Sequence, residues 1–256
     1  MNFSGIRRET LLGRVLRFPF RWIPRDAQVR ILQGPLRGKK WIAGSSNHGC
    51  WLGSYEYDKQ KAFSAAVRPG SVIFDLGANV GFYTLLASVL TGRDGRVFSF
   101  EPLPENLALL RRHLALNAVE NCVVYEAAVG ASSGTALFAP GESSTTGHLA
   151  SGHPDASGKG IAVRVVMLDE LTGSGELPPP DLIKCDVEGG ELQALQGAAL
   201  TLAAAAPTLF LATHGAEVHQ RCCGFLRGLG YILTPLDHAV IEGASELIAI
   251  HPKRKV

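Results

Sequence analysis

Two acidic side chains stand at the ends of two short apolar segments in the first half of the chain. Asp75 lies in the segment 71–76, two residues before the glycine-rich turn Gly77–Gly81, and Glu101 follows the segment 96–100, 24 residues after Gly77. Glycines in such a turn let the backbone bend sharply and let a ligand approach the peptide groups. A carboxylate at Asp75 suits a cofactor with an ammonium group, reached directly or through water, whereas it would repel a pyrophosphate. Glu101 is placed to accept both hydroxyls of an adenosine ribose.

The two acids together predict S-adenosylmethionine as the cofactor and a methyltransferase as the enzyme class. An NAD(P)-dependent oxidoreductase is the alternative from another enzyme class, and it would bind nicotinamide and have no use for Asp75. A non-catalytic module that binds adenosylmethionine without turnover is a third hypothesis. We expect Glu126 to lie near the adenine, and Tyr55 and Glu56 to fold over the cofactor. The predicted cofactor-binding residues are Asp75, Gly77, Ala78, Asn79, Gly81, Glu101, Pro102, Glu126, Tyr55 and Glu56.

A second group of polar side chains is predicted where methyl transfer would occur. Lys184, Asp186 and Glu188 alternate along the chain, so they would share one face of an extended strand, and His214 follows the next predicted strand. A hydroxyl acceptor needs a base, and either His214 or Asp186 is suited to that role. Asp186 and Glu188 also precede a helix and could instead cap it. Magnesium held by Asp186, Glu188 and His214 is the less favoured alternative, because no second motif supports a metal.

Four segments of the chain, in this order and spacing, resemble the FkbM family of methyltransferases. They are Asp75–Thr84, Phe100–Asn106, Lys184–Glu191 and His214-Gly215. Trp51–Glu56 is also similar to a segment that precedes the first strand in that family, and the resemblance covers roughly residues 51–235. It implies O-methylation of a hydroxyl group on a saccharide or a secondary metabolite. One departure is Ala212, where the family often has an acid two residues before the histidine.

The hydrophobic pattern predicts an α/β fold from Ser71 onward, because short β-branched segments alternate with helical periods. The last two strands are too close in sequence for a crossover helix and should pair antiparallel. We therefore predict a class I methyltransferase (Rossmann-like) fold, with a seven-stranded, mostly parallel sheet and an antiparallel last strand. A small N-terminal appendage, residues 1–58, precedes the methyltransferase domain, residues 59–256. Predicted strands are 71–76, 96–100, 122–126, 181–185, 208–213, 231–234 and 247–251, and predicted helices are 81–90, 104–117, 191–205 and 217–228.

Several segments outside this alternation carry separate predictions. Residues 29–43 predict a hairpin, and residues 51–68 are predicted to be mostly helical, ending at Pro69-Gly70. Short paired strands are expected at 135–138 and 162–166. The Gly/Ser/Thr-rich segment 140–160 is predicted to be a loop that closes over the acceptor. The uncharged segment 192–216 contains Pro207, and it predicts a helix followed by a buried strand, not a membrane-spanning helix.

The charge is unevenly distributed along the chain. Residues 1–25 carry a net charge of +5 and the remaining 231 residues carry −3. We predict a basic amphipathic helix over residues 1–26, able to contact an anionic membrane surface peripherally. The acidic main domain and the absence of an Asn/Asp-Pro-Pro-Tyr/Phe motif argue against a nucleic-acid substrate. Five cysteines without metal-ligand spacing suggest a reducing, cytoplasmic environment, and the expected partner is a small-molecule or saccharide acceptor.

Overall fold

Strands rich in β-branched and aromatic residues form three sheets in the described part of the chain. The computed structural model describes residues 22–140, 147–149 and 160–253. The strands, numbered in chain order, are β1 (Gln28–Arg30), β2 (Lys40–Ile42), β3 (Val72–Leu76), β4 (Arg96–Phe100), β5 (Cys122–Tyr125), β6 (Ala128–Val129), β7 (Gly134–Pro140), β8 (Gly147–Leu149), β9 (Ile161–Val166), β10 (Leu182–Cys185), β11 (Thr208–Ala212), β12 (Ile232–Pro235) and β13 (Glu246–Ile250).

The seven-stranded central sheet has the order β12-β13-β11-β10-β3-β4-β5. Neighbouring strands are parallel, except that β13 runs antiparallel to both β11 and β12. This arrangement confirms the predicted mostly parallel sheet with an antiparallel last strand. Every residue of β10 and β11 is buried, as expected for strands that helices cover on both faces. From β3 the chain adds β4 and β5 on one side of the sheet and then β10 and β11 on the other side. A crevice therefore opens between β3 and β10, beyond their carboxyl ends.

Helices flank the sheet, and the predicted ones over residues 81–90, 104–117 and 217–228 are confirmed to within a residue or two. The helices are α1 (Gly49–Leu52), α2 (Tyr57–Ala66), α3 (Phe82–Thr91), α4 (Pro104–Leu116), α5 (Leu168–Gly173), α6 (Glu191–Gln196), α7 (Ala199–Ala205) and α8 (Ala216–Gly228), with a 3₁₀ turn at Ile241–Gly243.

The prediction of one helix over residues 191–205 was wrong, because the chain breaks between α6 and α7. Gly197 lies at the break, where a Cβ atom would come within 1.9 Å of the carbonyl oxygen of Gly130. The carbonyl of Gly197 also accepts a hydrogen bond from the backbone of Asp169, at 2.8 Å. The Asp169 carboxylate then accepts from the backbone N–H of Thr201, also at 2.8 Å, and caps α7. Both contacts come from distant residues, so the local periodicity does not show them.

The mostly helical character predicted for residues 51–68 is confirmed, but α1 and α2 are separate helices with a turn between them. Gly53 ends α1 in a left-handed conformation, with φ of 76°. A Cβ atom at this position would lie 2.3 Å from the carbonyl oxygen of Gln33. The turn is therefore fixed by close packing against the appendage, and α2 begins afresh at Tyr57.

A second, four-stranded sheet has the order β6-β9-β7-β8. Its strands come after β5 and before β10 along the chain. The antiparallel pairing of β7 with β9 confirms the strands expected at 135–138 and 162–166. The prediction that all of 140–160 forms a loop was wrong at β8, which extends the β7 hairpin by backbone pairing. Residues 141–146 and 150–159, with His153, lie outside the described residues.

The N-terminal appendage packs closely on the domain. The predicted hairpin over 29–43 is confirmed by the antiparallel pair β1 and β2. Trp41 of β2 is fully buried and stacks on His113 of α4, with ring centroids 3.6 Å apart. The domain boundary at residue 58 stays a prediction, and it falls inside α2. Most of the helix predicted over 1–26 lies outside the described residues.

The apolar segment 192–216 contains most of α6, all of α7 and the buried strand β11, so the predicted strand is confirmed and the predicted helix is divided. Within the described residues, no helix combines the length and apolar character needed to span a bilayer.

The loops after β3 and β10 meet in close backbone contact. Gly77 has φ of +72°, and a Cβ atom there would lie 1.9 Å from the carbonyl oxygen of Asp186. The backbone N–H of Asp186 also donates a hydrogen bond to the carbonyl oxygen of Leu76, at 3.1 Å. Only glycine fits between these two loops, so the loops cannot separate or approach without disturbing the end of either strand.

Gly77→Ala should therefore destabilise the fold far more than a glycine replacement in open space. Gly70 is the matched control, because its φ is +82° and no atom lies within 4 Å of a Cβ built there. Gly70→Ala should lower the free energy of unfolding by only about 1–2 kcal/mol, the cost of an alanine in the left-handed conformation. Gly77→Ala should lower it further, because the new Cβ atom also clashes with the backbone of Asp186. Urea unfolding would measure both variants, and equal losses of unfolding free energy would show that the contact between the two loops is not tight.

Candidate active site

The glycine-rich turn after β3 is held to the end of β4 by backbone and carboxylate hydrogen bonds. The N–H groups of Gly77 and Ala78 both donate to the Phe100 carbonyl at 3.0 Å. The Glu101 carboxylate accepts from the N–H of Asn79 at 2.8 Å. Asn79 has φ of +51°, as a tight turn requires. The turn is therefore preorganised by the acid that was predicted to bind the ribose.

Glu101 is 4% exposed and lines a cavity above this turn. Its other oxygen accepts from the N–H of Leu103 at 3.0 Å and from the Asn106 side chain at 3.1 Å. Burial raises the pKa of Glu101, and these hydrogen bonds only partly oppose the rise. A carboxylate with two oxygens can still accept further donors, so a ribose hydroxyl can reach Glu101 in this setting.

Asp75 lies beneath the turn and not on the cavity wall. It is 1% exposed, and its carboxylate accepts from the Thr84 hydroxyl at 2.6 Å. Its second oxygen lies 3.3 Å from the Lys184 ammonium. Lys184 in turn donates to the Gly77 carbonyl at 2.7 Å. The structure thus places Asp75 where it orients Lys184 and the turn, and a direct contact with a cofactor ammonium stays a prediction.

A second buried lysine, Lys59 of α2, holds three carboxylates from three parts of the chain. Its ammonium lies 2.8 Å from Glu246 of β13, 3.3 Å from Glu56 and 3.8 Å from Asp186. Burial alone would lower the pKa of Lys59, but the three carboxylates outweigh it and the net shift is upward. The ammonium is therefore permanently charged, and it ties α2 to the sheet at the site.

Asp186 lies between the two ammonium groups. One of its carboxylate oxygens is 3.8 Å from Lys59 and 3.9 Å from Lys184. Burial would raise the pKa of Asp186, yet the two lysines outweigh this effect and lower it. Asp186 is consequently a carboxylate at neutral pH.

His214 and Glu188 lie on the other side of Asp186. The Nε2 atom of His214 is 3.4 Å from Glu188 and 3.8 Å from Asp186, and its Nδ1–H donates to Glu191 at 2.8 Å. The hydrogen bond to Glu191 raises the pKa of His214 to about 9. Burial raises the pKa of Glu188. At neutral pH His214 is therefore an imidazolium surrounded by carboxylates.

The expectation that Lys184, Asp186 and Glu188 share one face of an extended strand was wrong. The strand β10 ends at Cys185, and Glu188 has φ of +55°, in the left-handed region. The chain turns after Asp186 because its carbonyl packs on Gly77. Asp186 and Glu188 nevertheless both reach His214, by way of this turn.

Most of the predicted site residues surround one cavity. Of these, Tyr55, Gly77, Ala78, Asn79, Glu101, Pro102, Lys184, Asp186 and Glu188 line it. Asp75, Glu56 and His214 do not line it but contact the lining residues Lys184, Tyr83 and Glu188, and Gly81 does not line it. Further lining residues that the sequence did not indicate are Ser46, Cys50, Val80, Phe82, Tyr83, Phe100, Leu103, Asn106, Ala128, Val129, Val187 and Gly190.

Glu126 is not among the residues that line the cavity. Its side chain is 60% exposed and forms an ion pair with Arg111 of α4. The backbone of the next residues turns inward instead, so Ala128 and Val129 provide the wall at the end of β5. The predicted contact of Glu126 with an adenine has no support from this placement.

The sequence did not identify Glu246 as an acidic partner of Lys59. Glu246 stands directly opposite Ala212 in the antiparallel pair of β11 and β13. Paired residues project to the same face of a sheet, so a carboxylate reaches the position where Ala212 has none. No local pattern around Glu246 reveals this, since the register of two distant strands creates it. Lys59, in contrast, follows Glu56 by three residues on a helix, a spacing that predicts a side-chain contact.

The sheet order, the glycine-rich turn and the acid after the second core strand define the class I methyltransferase fold. The sequence model of the family described as the Methyltransferase FkbM domain matches residues 75–233. The chain therefore belongs to the FkbM methyltransferase family, and a methyltransferase is the enzyme class that this membership gives, not an oxidoreductase.

Two curated relatives and one solved structure share this similarity. The chain is 30% identical over 126 residues to the hexuronic acid methyltransferase AglP of Haloferax volcanii, covering 49% of each chain. It is 30% identical over 165 residues to the 31-O-demethyl-FK506 methyltransferase FkbM of Streptomyces tacrolimicus, covering 51% of this chain and 60% of that one. The chain thus spans about half the length of these relatives. A crystal structure of methyltransferase FkbM from Methylobacillus flagellatus KT shares the fold, with a TM-score of 0.51 and 16% identity over 80% of this chain and 56% of that one.

Replacing Glu101 by Gln should weaken adenosylmethionine binding, because the amide NH2 replaces one carboxylate oxygen and can accept neither from a ribose hydroxyl nor from the backbone N–H of Asn79 or Leu103. We expect a loss of about 1.5–3 kcal/mol, which is roughly ten- to a hundredfold in Kd. Calorimetry would measure it, with Glu105→Gln on the exposed first turn of α4 as the control. An unchanged affinity in Glu101→Gln would remove this acid from the ribose site.

The His214 proton should stabilise the folded state over a defined pH range. Its folded pKa of about 9 lies above the ordinary value near 6.5. The stabilisation is therefore complete below about pH 6.5 and is lost as the pH rises through about 9. NMR titration of the ring protons should give this high midpoint, and Glu191→Gln should move it down. Glu217→Gln, on the exposed start of α8, should leave it in place. A midpoint near 6.5 in the unmodified chain would contradict the hydrogen bond to Glu191.

Proposed function

We infer that the chain is an S-adenosylmethionine-dependent O-methyltransferase that acts on a hydroxyl group of a saccharide or a related secondary metabolite. The observation that carries this proposal is the position of the Asp186 carboxyl group on the cavity wall, between two buried ammonium groups and beside the cofactor turn. Two relatives support the acceptor class: one is named for hexuronic acid and the other for an O-demethyl compound.

The charges around the cavity fit a cationic cofactor. Four carboxylates, those of Glu56, Asp75, Asp186 and Glu246, surround the ammonium groups of Lys59 and Lys184. Burial raises the pKa of Glu246 to about 7, so this group is partly protonated at neutral pH. Negative charge is still in excess, and a ligand with an ammonium and a sulfonium group would balance it. Glu101 and the glycine-rich turn provide acceptors and space for the nucleoside.

The cofactor, when bound, supplies a methyl group made electrophilic by its sulfonium. The part of this chain is to orient an acceptor hydroxyl and to receive its proton. Asp186 suits both tasks, because its carboxylate is ionised and lies on the cavity wall. The hydroxyl proton would move to an Asp186 oxygen, while Lys59 and Lys184 keep that carboxylate in place.

His214 suits the role of base less well than Asp186. It is not among the residues that line the cavity, and its hydrogen bond to Glu191 keeps it protonated at neutral pH. An imidazolium 3.8 Å from Asp186 orients the carboxylate instead. Of the two bases that the sequence left open, we therefore propose Asp186 as the proton acceptor and His214 as its positioning partner.

A divalent cation is a second way to activate the hydroxyl at the same place. Asp186, Glu188 and His214 each offer one ligand atom, and these atoms lie within 4.8 Å of one another. The hydrogen bond from His214 to Glu191 fixes the ring with Nε2 toward the two carboxylates, as outer carboxylates do for metal-bound histidines. Magnesium would suit the oxygen ligands. Loss of methyl transfer on treatment with EDTA, with recovery on adding magnesium, would favour this alternative over a metal-free site.

Asp186→Asn should abolish methyl transfer but leave cofactor binding nearly intact. The amide keeps the size of the side chain but cannot accept the proton, so we expect a loss of about a hundredfold or more in the transfer rate. Transfer of radiolabelled methyl from adenosylmethionine to a panel of uronic acids, neutral sugars and polyhydroxylated macrolactones would measure it. The site of methylation in any product follows from mass spectrometry.

Asp94→Asn on an exposed turn is the matched control and should behave like the unmodified chain. Methyl products attached to nitrogen or carbon would contradict the O-methyltransferase proposal. Tight cofactor binding without transfer to any acceptor, unaffected by Asp186→Asn, would favour a non-catalytic binding module.

A further inference from the structure

Basic residues are concentrated in the first part of the described chain. Residues 22–45 contain five basic side chains against Asp26 alone, a net charge of +4. Residues 46–256 contain 15 Lys and Arg against 21 Asp and Glu, a net charge of −6. The basic side chains of the appendage are Arg25, Arg30, Arg37, Lys39 and Lys40. Within the described residues, the positive charge is therefore concentrated in residues 22–45 and not in the part of the chain that follows.

The hairpin formed by β1 and β2 brings like charges together. Arg30 stands directly opposite Lys40 in the antiparallel register, an arrangement that is unfavourable without an anion. The guanidinium of Arg30 is held by the Gly38 carbonyl at 2.8 Å, next to Arg37 and Lys39 in sequence. Among the residues that the structure describes, no acid forms an ion pair with any of the five basic side chains.

Large apolar side chains are exposed in the same part of the chain. Trp22 is 80% exposed and Leu32 is 57% exposed. Tryptophan partitions to the interface between lipid headgroups and acyl chains, because its ring is apolar and its N–H is polar. A segment that exposes both cations and large apolar side chains has the composition of a surface that binds anionic lipid.

We propose that the appendage over residues 22–40 is a docking surface for the anionic phospholipid headgroups of a membrane. Its cations have no acidic partner among the residues that the structure describes, and Trp22 and Leu32 add apolar contacts that a nucleic acid would not use in a duplex groove. The negative charge of the remaining domain would turn that domain away from a polyanion. The proposal does not rest on the reaction assigned to the site.

The position of this surface gives docking a functional consequence. Arg25 and Trp51 line a groove beside the hairpin, and Ser46 lines both this groove and the cofactor cavity. Arg25 is fixed there because its backbone packs on Gly44, where a Cβ atom would lie 2.6 Å from the Cβ of Arg25. A membrane bound at the hairpin would thus lie next to a groove that adjoins the cofactor cavity.

Vesicle flotation with the full chain tests this proposal. The unmodified chain should bind phosphatidylcholine vesicles that contain about 30% phosphatidylserine, not phosphatidylcholine alone, and binding should fall as salt is raised. The combined variant Arg30→Gln, Arg37→Gln and Lys40→Gln should lower the partition coefficient at least about tenfold, given the attraction of each lost cation to the surface. Trp22→Ser should lower it by a smaller factor.

The matched control removes three exposed cations from the domain, Arg93→Gln, Arg112→Gln and Arg227→Gln, and should stay within about twofold of the unmodified chain. Unchanged thermal unfolding and adenosylmethionine affinity in both triple variants would show that each is folded. Equal losses in the two triple variants, or undiminished binding of the hairpin variant, would overturn the proposal. So would binding of a nucleic-acid oligonucleotide through the hairpin without binding to vesicles.

Discussion

The backbone contact between Gly77 and the Asp186 carbonyl is the constraint on which the site depends. The first and fourth strands of the parallel series, β3 and β10, lie side by side, and their loops leave no room for a side chain at Gly77. This contact brings the cofactor turn and the proposed proton acceptor into one wall. It also forces the chain to turn after Asp186, and so brings Glu188 toward His214.

Buried ion pairs then hold the wall in one arrangement. Removing charges from water is costly, and such pairs persist in a fold only when each member is closely partnered. Lys184 links Asp75 of β3 to Asp186, and Lys59 links Asp186 to Glu246 of β13. The two lysines therefore tie four parts of the chain to one carboxylate, which explains how Asp186 stays ionised despite its burial. Helix α2 belongs to the site through Lys59.

The regular part of this fold was predictable from the sequence, since parallel βα units carry strong local signals. The turn Gly77–Gly81 and the acids Glu101 and Asp186 were identified because each follows a strand of recognisable composition. Contacts between residues far apart in sequence were not predictable. The break between α6 and α7 at Gly197 depends on packing against Gly130. The position of Glu246 at the site depends on the pairing of Glu246 with Ala212 in neighbouring strands. The predicted contact of Glu126 with the adenine has no support in the structure, because a position at the end of a strand does not fix the direction of the side chain.

A crystal structure of the chain with adenosylhomocysteine would test the central claim most directly. The ribose hydroxyls should lie within hydrogen-bonding distance of the Glu101 carboxylate, and the sulfur should lie on the side of the cavity where Asp186 forms the wall. A nucleoside bound away from Glu101, or a sulfur turned away from Asp186, would contradict the account.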